Sequence, residues 1–186
     1  MSLSIIMGNM FSGKTSELIR RLKRFKTIGK NIIVISSIKD TRSSDEVLKT
    51  HDNVKFNCHK IDDLFDIIYT DEFNEADIIA IDEVQFFSRL KTFVENVLLM
   101  NKTIILAGLD SDSSQQKFGE ILDCIPYASE VVKLSALCMV CKNGTLGPFT
   151  RRNIDHKSVE FIGGDDIYSA VCREHINVNH IIESRV

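Results

Sequence analysis

The sequence has little that would take it out of the ordinary globular class. Of its 186 residues only two are proline and nine are glycine; collagen-like composition is excluded. No apolar run reaches the roughly 18 residues that a membrane-spanning helix needs. Neither sign of charge is in excess. Lys and Arg number 23 against 26 Asp and Glu, a net charge of -3, with a sequence pI near 6.0. That balance argues against a general nucleic-acid binder. A cleavable leader is not expected, because the first apolar stretch, Leu3–Met7, reads as a strand. An even disulfide framework is missing too: there are five cysteines, two of them in a C-x2-C, which points to a reducing, cytoplasmic compartment. What is present is 44% hydrophobic and 26% charged residues. That suits one domain, or one domain with a small appendage, burying roughly 70% of its unfolded surface. Disorder and coiled coil are excluded with it.

The order of patterns narrows the fold. Leu3–Met7 is a buried-strand candidate ending at Gly8. From Lys14 the period changes: Leu18, Leu22 and Phe25 share a helix face, and Gly29 ends it. The opposite face, with Arg20, Arg21, Lys23, Arg24 and Lys26, is basic. Ile32–Ile35, Asp77–Ile81, Thr103–Ala107 and Val131–Leu134 read as further strands, Asp62–Tyr69 as a short helix and Leu90–Met100 as a longer one. Strands that are apolar throughout and alternate with helices predict an α/β fold with a parallel sheet covered on both faces. After about Ala136 the alternation stops. The boundaries expected are an α/β nucleotide-binding domain over 1–136 and a small second unit over 137–186, rich in short strands and loops.

Gly8-Asn9-Met10-Phe11-Ser12-Gly13-Lys14-Thr15 fits G-x-x-x-x-G-K-[ST] between a strand and a helix. In that context the glycines let backbone N–H groups cradle phosphate oxygens at a helix N-terminus. Lys14 would reach the β- and γ-phosphates of ATP, and the Thr15 hydroxyl would hold Mg²⁺. Asp82-Glu83 closes the third strand, expected beside the phosphate-loop strand; Asp82 would then lie at the Mg²⁺, leaving Glu83 free to act as a base. Asp40 and Arg42, after the second strand, would face the same crevice, Asp40 supporting the metal and Arg42 the transferring charge. The N-K-x-D of guanine-selective switches is missing: Asn101-Lys102 is followed by Thr103-Ile104.

Cys138-x2-Cys141 and Cys172-x2-His175 are separated by 30 residues. Paired hooks of this kind suit a tetrahedral structural Zn²⁺ held by three thiolates and one imidazole. A tail this short needs such a cross-link to hold its shape. Cys58 and Cys124 stand alone and read as buried apolar residues. Two functions remain open at this level. One is a phosphoryl-transferring enzyme; the other is a nucleotide-switched module whose zinc unit grips nucleic acid or protein. Against the second stand nine acids and no base between Asp62 and Glu83, and a tail without basic-aromatic interleaving.

Together these motifs resemble the thymidine kinase family of the cellular, poxvirus and bacterial type. The resemblance runs from Ser4 to His175 and rests on the phosphate loop, Lys39-Asp40-Thr41-Arg42, Asp82-Glu83-Val84-Gln85-Phe86-Phe87, Leu109-Asp110 with Phe118-Gly119, Val131–Leu134, the two metal hooks and Ile162–Tyr168. It implies a RecA-like P-loop core with a zinc-held lasso closing over the nucleoside. It also implies transfer of the ATP γ-phosphoryl to the 5′-hydroxyl of thymidine, Glu83 taking the proton and Gln85 and Asp82 serving the phosphate and metal side. Met10, Phe86, Leu109, Phe118 and Tyr168 would enclose the base, with Ser113 in the same loop. Val159, Glu160, Phe161, Ile162 and Gly163 would meet the base edge through backbone groups. The family further implies a homotetramer, feedback inhibition by dTTP, and no nucleic-acid or membrane partner. A broader pyrimidine deoxynucleoside kinase is the neighbouring reading.

Three positions depart from the family pattern. Asn9 replaces the usual proline and reads as a harmless variable position. Val84 replaces a glycine. Ser113-Ser114-Gln115 stands where the family has an aromatic followed by Gln-Arg, so weaker stacking on the base and broader nucleoside tolerance are expected.

Overall fold

The computed structural model describes residues 1–40, 47–49, 55–153, 163–164 and 166–176. Strands β1 (Ser2–Gly8), β2 (Ile32–Ser37), β3 (Val47–Lys49), β4 (Lys55–Asn57), β5 (His59–Ile61), β6 (Ile78–Ile81), β7 (Thr103–Gly108) and β8 (Glu130–Leu134) alternate with helices α1 (Lys14–Thr27), α2 (Asp71–Glu75) and α3 (Leu90–Leu99). Six of the strands form one sheet in the order β5-β2-β6-β7-β1-β8, and every pair in it is parallel. This is the expected α/β, RecA-like sheet. Its strands are apolar on both sides because both sides are covered. Leu3, Ile5, Ile33, Ile79 and Leu106 pack against α3, with Phe93, Val94 and Val97. Ile6, Val34, Ala80 and Ile105 pack against Leu18, Ile19 and Leu22 of α1.

Beyond β8 the chain forms β9 (Ala136–Leu137), β10 (Leu146–Gly147), β11 (Phe149–Arg152) and β12 (Tyr168–Val171), paired antiparallel as β9-β10 and β11-β12. Cys138, Val171 and Cys172 make a separate small core there. Near Ala136 the parallel sheet gives way to short antiparallel pairs.

Two expectations are corrected. Asp62–Tyr69 is not an α-helix; only a single 3₁₀ turn, Leu64–Asp66, forms there. The Asp63 carboxylate accepts the Phe65 amide (3.0 Å), and the Thr70 hydroxyl accepts the Phe73 amide (3.2 Å). Side-chain caps start new turns rather than continuing one helix. The helix therefore begins at Asp71, and the preceding His59–Ile61, not singled out in the sequence, forms β5 at the sheet edge. In addition, β6 is not adjacent to β1: β7 lies between them. The carboxylates at the end of β6 must reach the phosphate loop across the end of a third strand.

Candidate active site

Strand β1 delivers the chain into a loop whose backbone turns sharply. Phe11 and Gly13 both have left-handed backbones, with φ of 65° and 82°. Gly8 is required by crowding: a Cβ there would lie 2.2 Å from the Leu134 carbonyl oxygen of β8. The loop ends at Gly13, whose carbonyl accepts the Glu17 amide (2.9 Å) and opens α1. Such a loop at a helix N-terminus presents amides to anionic oxygens. Lys14, only 8% exposed, donates to the Asn9 carbonyl (2.7 Å), as does the Ser12 hydroxyl (2.8 Å).

The Thr15 hydroxyl donates to Asp82 Oδ2 (2.8 Å), so residues 67 positions apart share one point in the crevice. The turn that follows Asp82 packs onto the end of β7, where only a glycine leaves room for it. A Cβ on Gly108 would lie 2.6 Å from Val84 Cγ2 and 2.8 Å from Gln85 Oε1. The other Asp82 oxygen accepts the Glu83 amide (3.0 Å). Glu83 itself is left-handed at φ 52°, a costly conformation for a residue with a Cβ. That turn brings its carboxylate to Gln85 Nε2 (2.6 Å), while Gln85 Oε1 accepts the Leu109 amide (3.0 Å). Asp82, Glu83 and Gln85 are all buried. A hydroxyl and a carboxylate at one point are hard oxygen donors of the kind Mg²⁺ takes.

Other expected residues fall around this centre. Phe86 and Phe118 meet edge to face at 5.8 Å, and Gly119 packs on the Gln85 backbone. Asp40 is buried at the end of the β2 turn, its carbonyl accepting Lys60 Nζ (2.6 Å). Ser113 sits half-buried in a loop closed by the Ser111–Lys117 bridge. Tyr168 is buried on β12 opposite Arg152. Gly163 packs against Ile167. Arg42, Val159, Glu160, Phe161 and Ile162 lie outside the described residues.

Two features were missed in the sequence. The Met10 amide donates to Thr150 Oγ1 of β11 (3.0 Å), which joins the phosphate loop to the second unit. Nothing local marks that threonine. Asn9, at a position the motif leaves variable, is 1% exposed and bonded through both ends of its side chain to the β9-β10 pair, at Ala136 and Gly147. Buried Asn must satisfy donors and acceptors alike, so the position is structural.

The Cys138, Cys141, Cys172 and His175 ligand atoms lie within 4.8 Å of one another. Cys172 Sγ and His175 Nδ1 are 3.1 Å apart, and Cys141 Sγ lies 3.5 Å from that nitrogen. Three soft sulfurs and one imidazole at this separation fit a tetrahedral zinc-binding cluster. The thiols oppose one another electrostatically. Burial disfavours the Cys138 thiolate, but backbone amides of Cys141, Cys172 and Val140 outweigh it and bring its pKa to about 6. Burial and the neighbouring sulfurs push Cys141 up to about 11. A divalent cation removes that conflict by holding all three as thiolates.

The family model for thymidine kinase matches residues 1–176. The chain belongs to the thymidine kinase family. It is 42% identical to thymidine kinase a of Arabidopsis thaliana over 186 aligned residues, covering 97% of this chain and 77% of that one. It is 40% identical to the thymidine kinase of sheeppox virus, over 92% of this chain and 94% of that one. The cytosolic thymidine kinase of Bos taurus is 40% identical over 92% of this chain and 70% of its own. Membership of this family makes ATP the phosphoryl donor for which the loop is built. Among the described residues no helix is long and apolar enough to cross a membrane.

Proposed function

We propose that this chain is a cytoplasmic, ATP- and Mg²⁺-dependent thymidine kinase that forms dTMP and ADP. The 5′-oxygen of thymidine attacks the γ-phosphorus, the bond from that phosphorus to the β–γ bridging oxygen breaks, and the 5′-hydroxyl proton passes to Glu83. Gln85 orients the Glu83 carboxylate for that proton. The loop Gly8–Thr15 and Lys14 bind the triphosphate, with Arg42 toward the transferring group. Thr15 and Asp82, with Asp40, would hold Mg²⁺, which supplies charge neutralisation at the phosphates. Met10, Phe86, Leu109, Phe118 and Tyr168 enclose the base, with Val159–Gly163 at its edge. The observation that carries this reading is the Thr15–Asp82 bond with Glu83 and Gln85 adjoining. It sets Thr15 of the phosphate loop beside the buried Asp82, Glu83 and Gln85, an arrangement that suits catalysis by positioning and charge stabilisation.

The unit over 137–186 acts in this reading as a zinc-held lasso beside the 1–136 core. The active form is a homotetramer inhibited by dTTP. The absence of an aromatic at Ser113 favours one second reading, a broader pyrimidine deoxynucleoside kinase. ADP release with thymidine, with deoxycytidine and with no nucleoside tests the activity and its breadth. Thymidine-dependent release is expected. Slow release that ignores every nucleoside would instead identify a nucleotide-switched module.

A further inference from the structure

Asn9 stands inside the phosphate loop, but its side chain faces the zinc-bearing unit. Its Nδ2 donates to the Gly147 carbonyl (2.9 Å), and its Oδ1 accepts the Ala136 amide (3.2 Å). Gly147 and Ala136 are the cross-strand pair that starts the β9-β10 hairpin. Both bonds are buried. The path from there to the metal ligands is short and backbone-to-backbone. Cys138 follows Ala136 by two residues. Gly147 is pressed so close that a Cβ would lie 2.9 Å from Cys138 Cα and 3.1 Å from the carbonyl carbon of Val171, the residue before Cys172. The Cys138 amide donates to Thr145 (2.8 Å) and the Met139 amide to Ala170 of β12 (2.9 Å). On the loop side, the Asn9 carbonyl takes both Ser12 Oγ and Lys14 Nζ. The next residue, Met10, is tied to Thr150 of β11.

We propose that Asn9 is a positioning residue that couples the two sites. A nucleoside triphosphate in the phosphate loop and Zn²⁺ in the Cys138, Cys141, Cys172 and His175 cluster each strengthen the binding of the other. This rests on the reading that the loop takes a triphosphate and the cluster takes zinc. Phosphate oxygens on the loop amides hold the segment that carries Asn9. Asn9 in turn holds the hairpin from which Cys138 projects. Coupling of this kind is reciprocal, so it is visible from the metal side with no turnover at all.

The test is zinc release from the purified full-length protein into excess 4-(2-pyridylazo)resorcinol, with and without Mg²⁺·ATP and without thymidine. Zinc content and ATP binding by calorimetry are recorded separately for each protein. In the wild type, ATP is expected to slow release by about fivefold or more, the lower bound of ordinary coupling. In Asn9→Ala the ratio of the two rates should fall to near one. A variant that is merely destabilised releases zinc faster but keeps the ratio; Val97→Ala, in the α3 core remote from both sites, serves as that comparison. Asn9→Asp keeps the acceptor for Ala136 but sets an oxygen against the Gly147 carbonyl. It should lose most of the ratio, and it answers the question if the alanine variant does not fold. A wild type that binds ATP and zinc but releases zinc at one rate overturns the coupling and leaves the kinase reading intact. A full ratio in both Asn9 variants overturns the role of Asn9. A wild type without zinc or without ATP binding overturns both the coupling and the reading beneath it.

Discussion

Gln85 bonds at once to Glu83 and to the Leu109 amide. One amide side chain thus aligns the proposed base and pins the start of the loop after β7. Glu83→Gln preserves size and removes basicity. We expect turnover to fall by about 10²- to 10⁴-fold, as for loss of a general base, with ATP affinity retained in calorimetry. Near-normal turnover would move the base elsewhere. Ser113 poses a different question. Its loop is held by the Asp112 carboxylate, which accepts the Ser114 (2.8 Å) and Gln116 (2.9 Å) amides. Stacking of a base on an aromatic ring is worth about 1–3 kcal/mol in single-strand binders. Ser113→Phe is therefore expected to lower KM for thymidine by about fivefold or more, and KM for deoxycytidine in the same direction. An unchanged KM for both nucleosides would show that this position does not touch the base. Asp110 and Lys133, quoted in the sequence only as parts of motifs, form a 2.6 Å ion pair between the β7 end and β8. Only the fold brings these two together.

Helix α1 places Glu17 in its first turn, where a negative charge suits the helix dipole. Glu17 bonds Arg20 and Arg21, and Arg21 also reaches Glu130 of β8. The basic face of this helix, anticipated from the sequence, is thus partly spent on fastening α1 to the sheet edge. The hydrogen bond from Arg20, supported by Arg21 and only partly opposed by burial, lowers the Glu17 pKa from 4.5 to about 2. A depressed carboxylate stabilises the fold above its unfolded pKa and ceases to as pH falls toward the folded value. Glu17→Gln should therefore unfold more easily at pH 7, by about 0.5–1 kcal/mol for partly solvated pairs. The gap from wild type should narrow below about pH 4.5 and close toward pH 2. Thermal unfolding of both proteins at pH 7, 4.5 and 3 measures it, and a gap independent of pH would mean that the charge is not its source. At this scale the long periodic elements were legible: α1, α3 and the apolar strands stand where the pattern puts them. The stretch 59–75 was not. Its strand and its helix are each too short to show a period, and side-chain caps, not periodicity, divide them.

For the whole molecule, the unit that carries the Cys/His cluster has, among the described residues, a small core of Cys138, Val171 and Cys172, and we expect its shape to depend on the cluster. One zinc per chain is expected in metal analysis. Cys172→Ala should lose it and lower Tm by about 5–10 °C, equivalent to about 2–4 kcal/mol at this length. An unchanged Tm with no zinc would make the cluster dispensable. The sequence by itself determined the parallel α/β class, the phosphate-loop motif, the paired carboxylates and the two hooks that form the Cys/His cluster. Each depends on local spacing or on an uninterrupted apolar run, and both survive in one dimension. Only the tertiary structure decided that β7 separates β6 from β1, that Asp82 meets Thr15, that Gly108 leaves room for Val84 and Gln85, and that Asn9 and Thr150 join the loop to the second unit. Strand order and bonds between residues more than a hundred positions apart are set by how separate elements share one core, and no local pattern encodes that sharing.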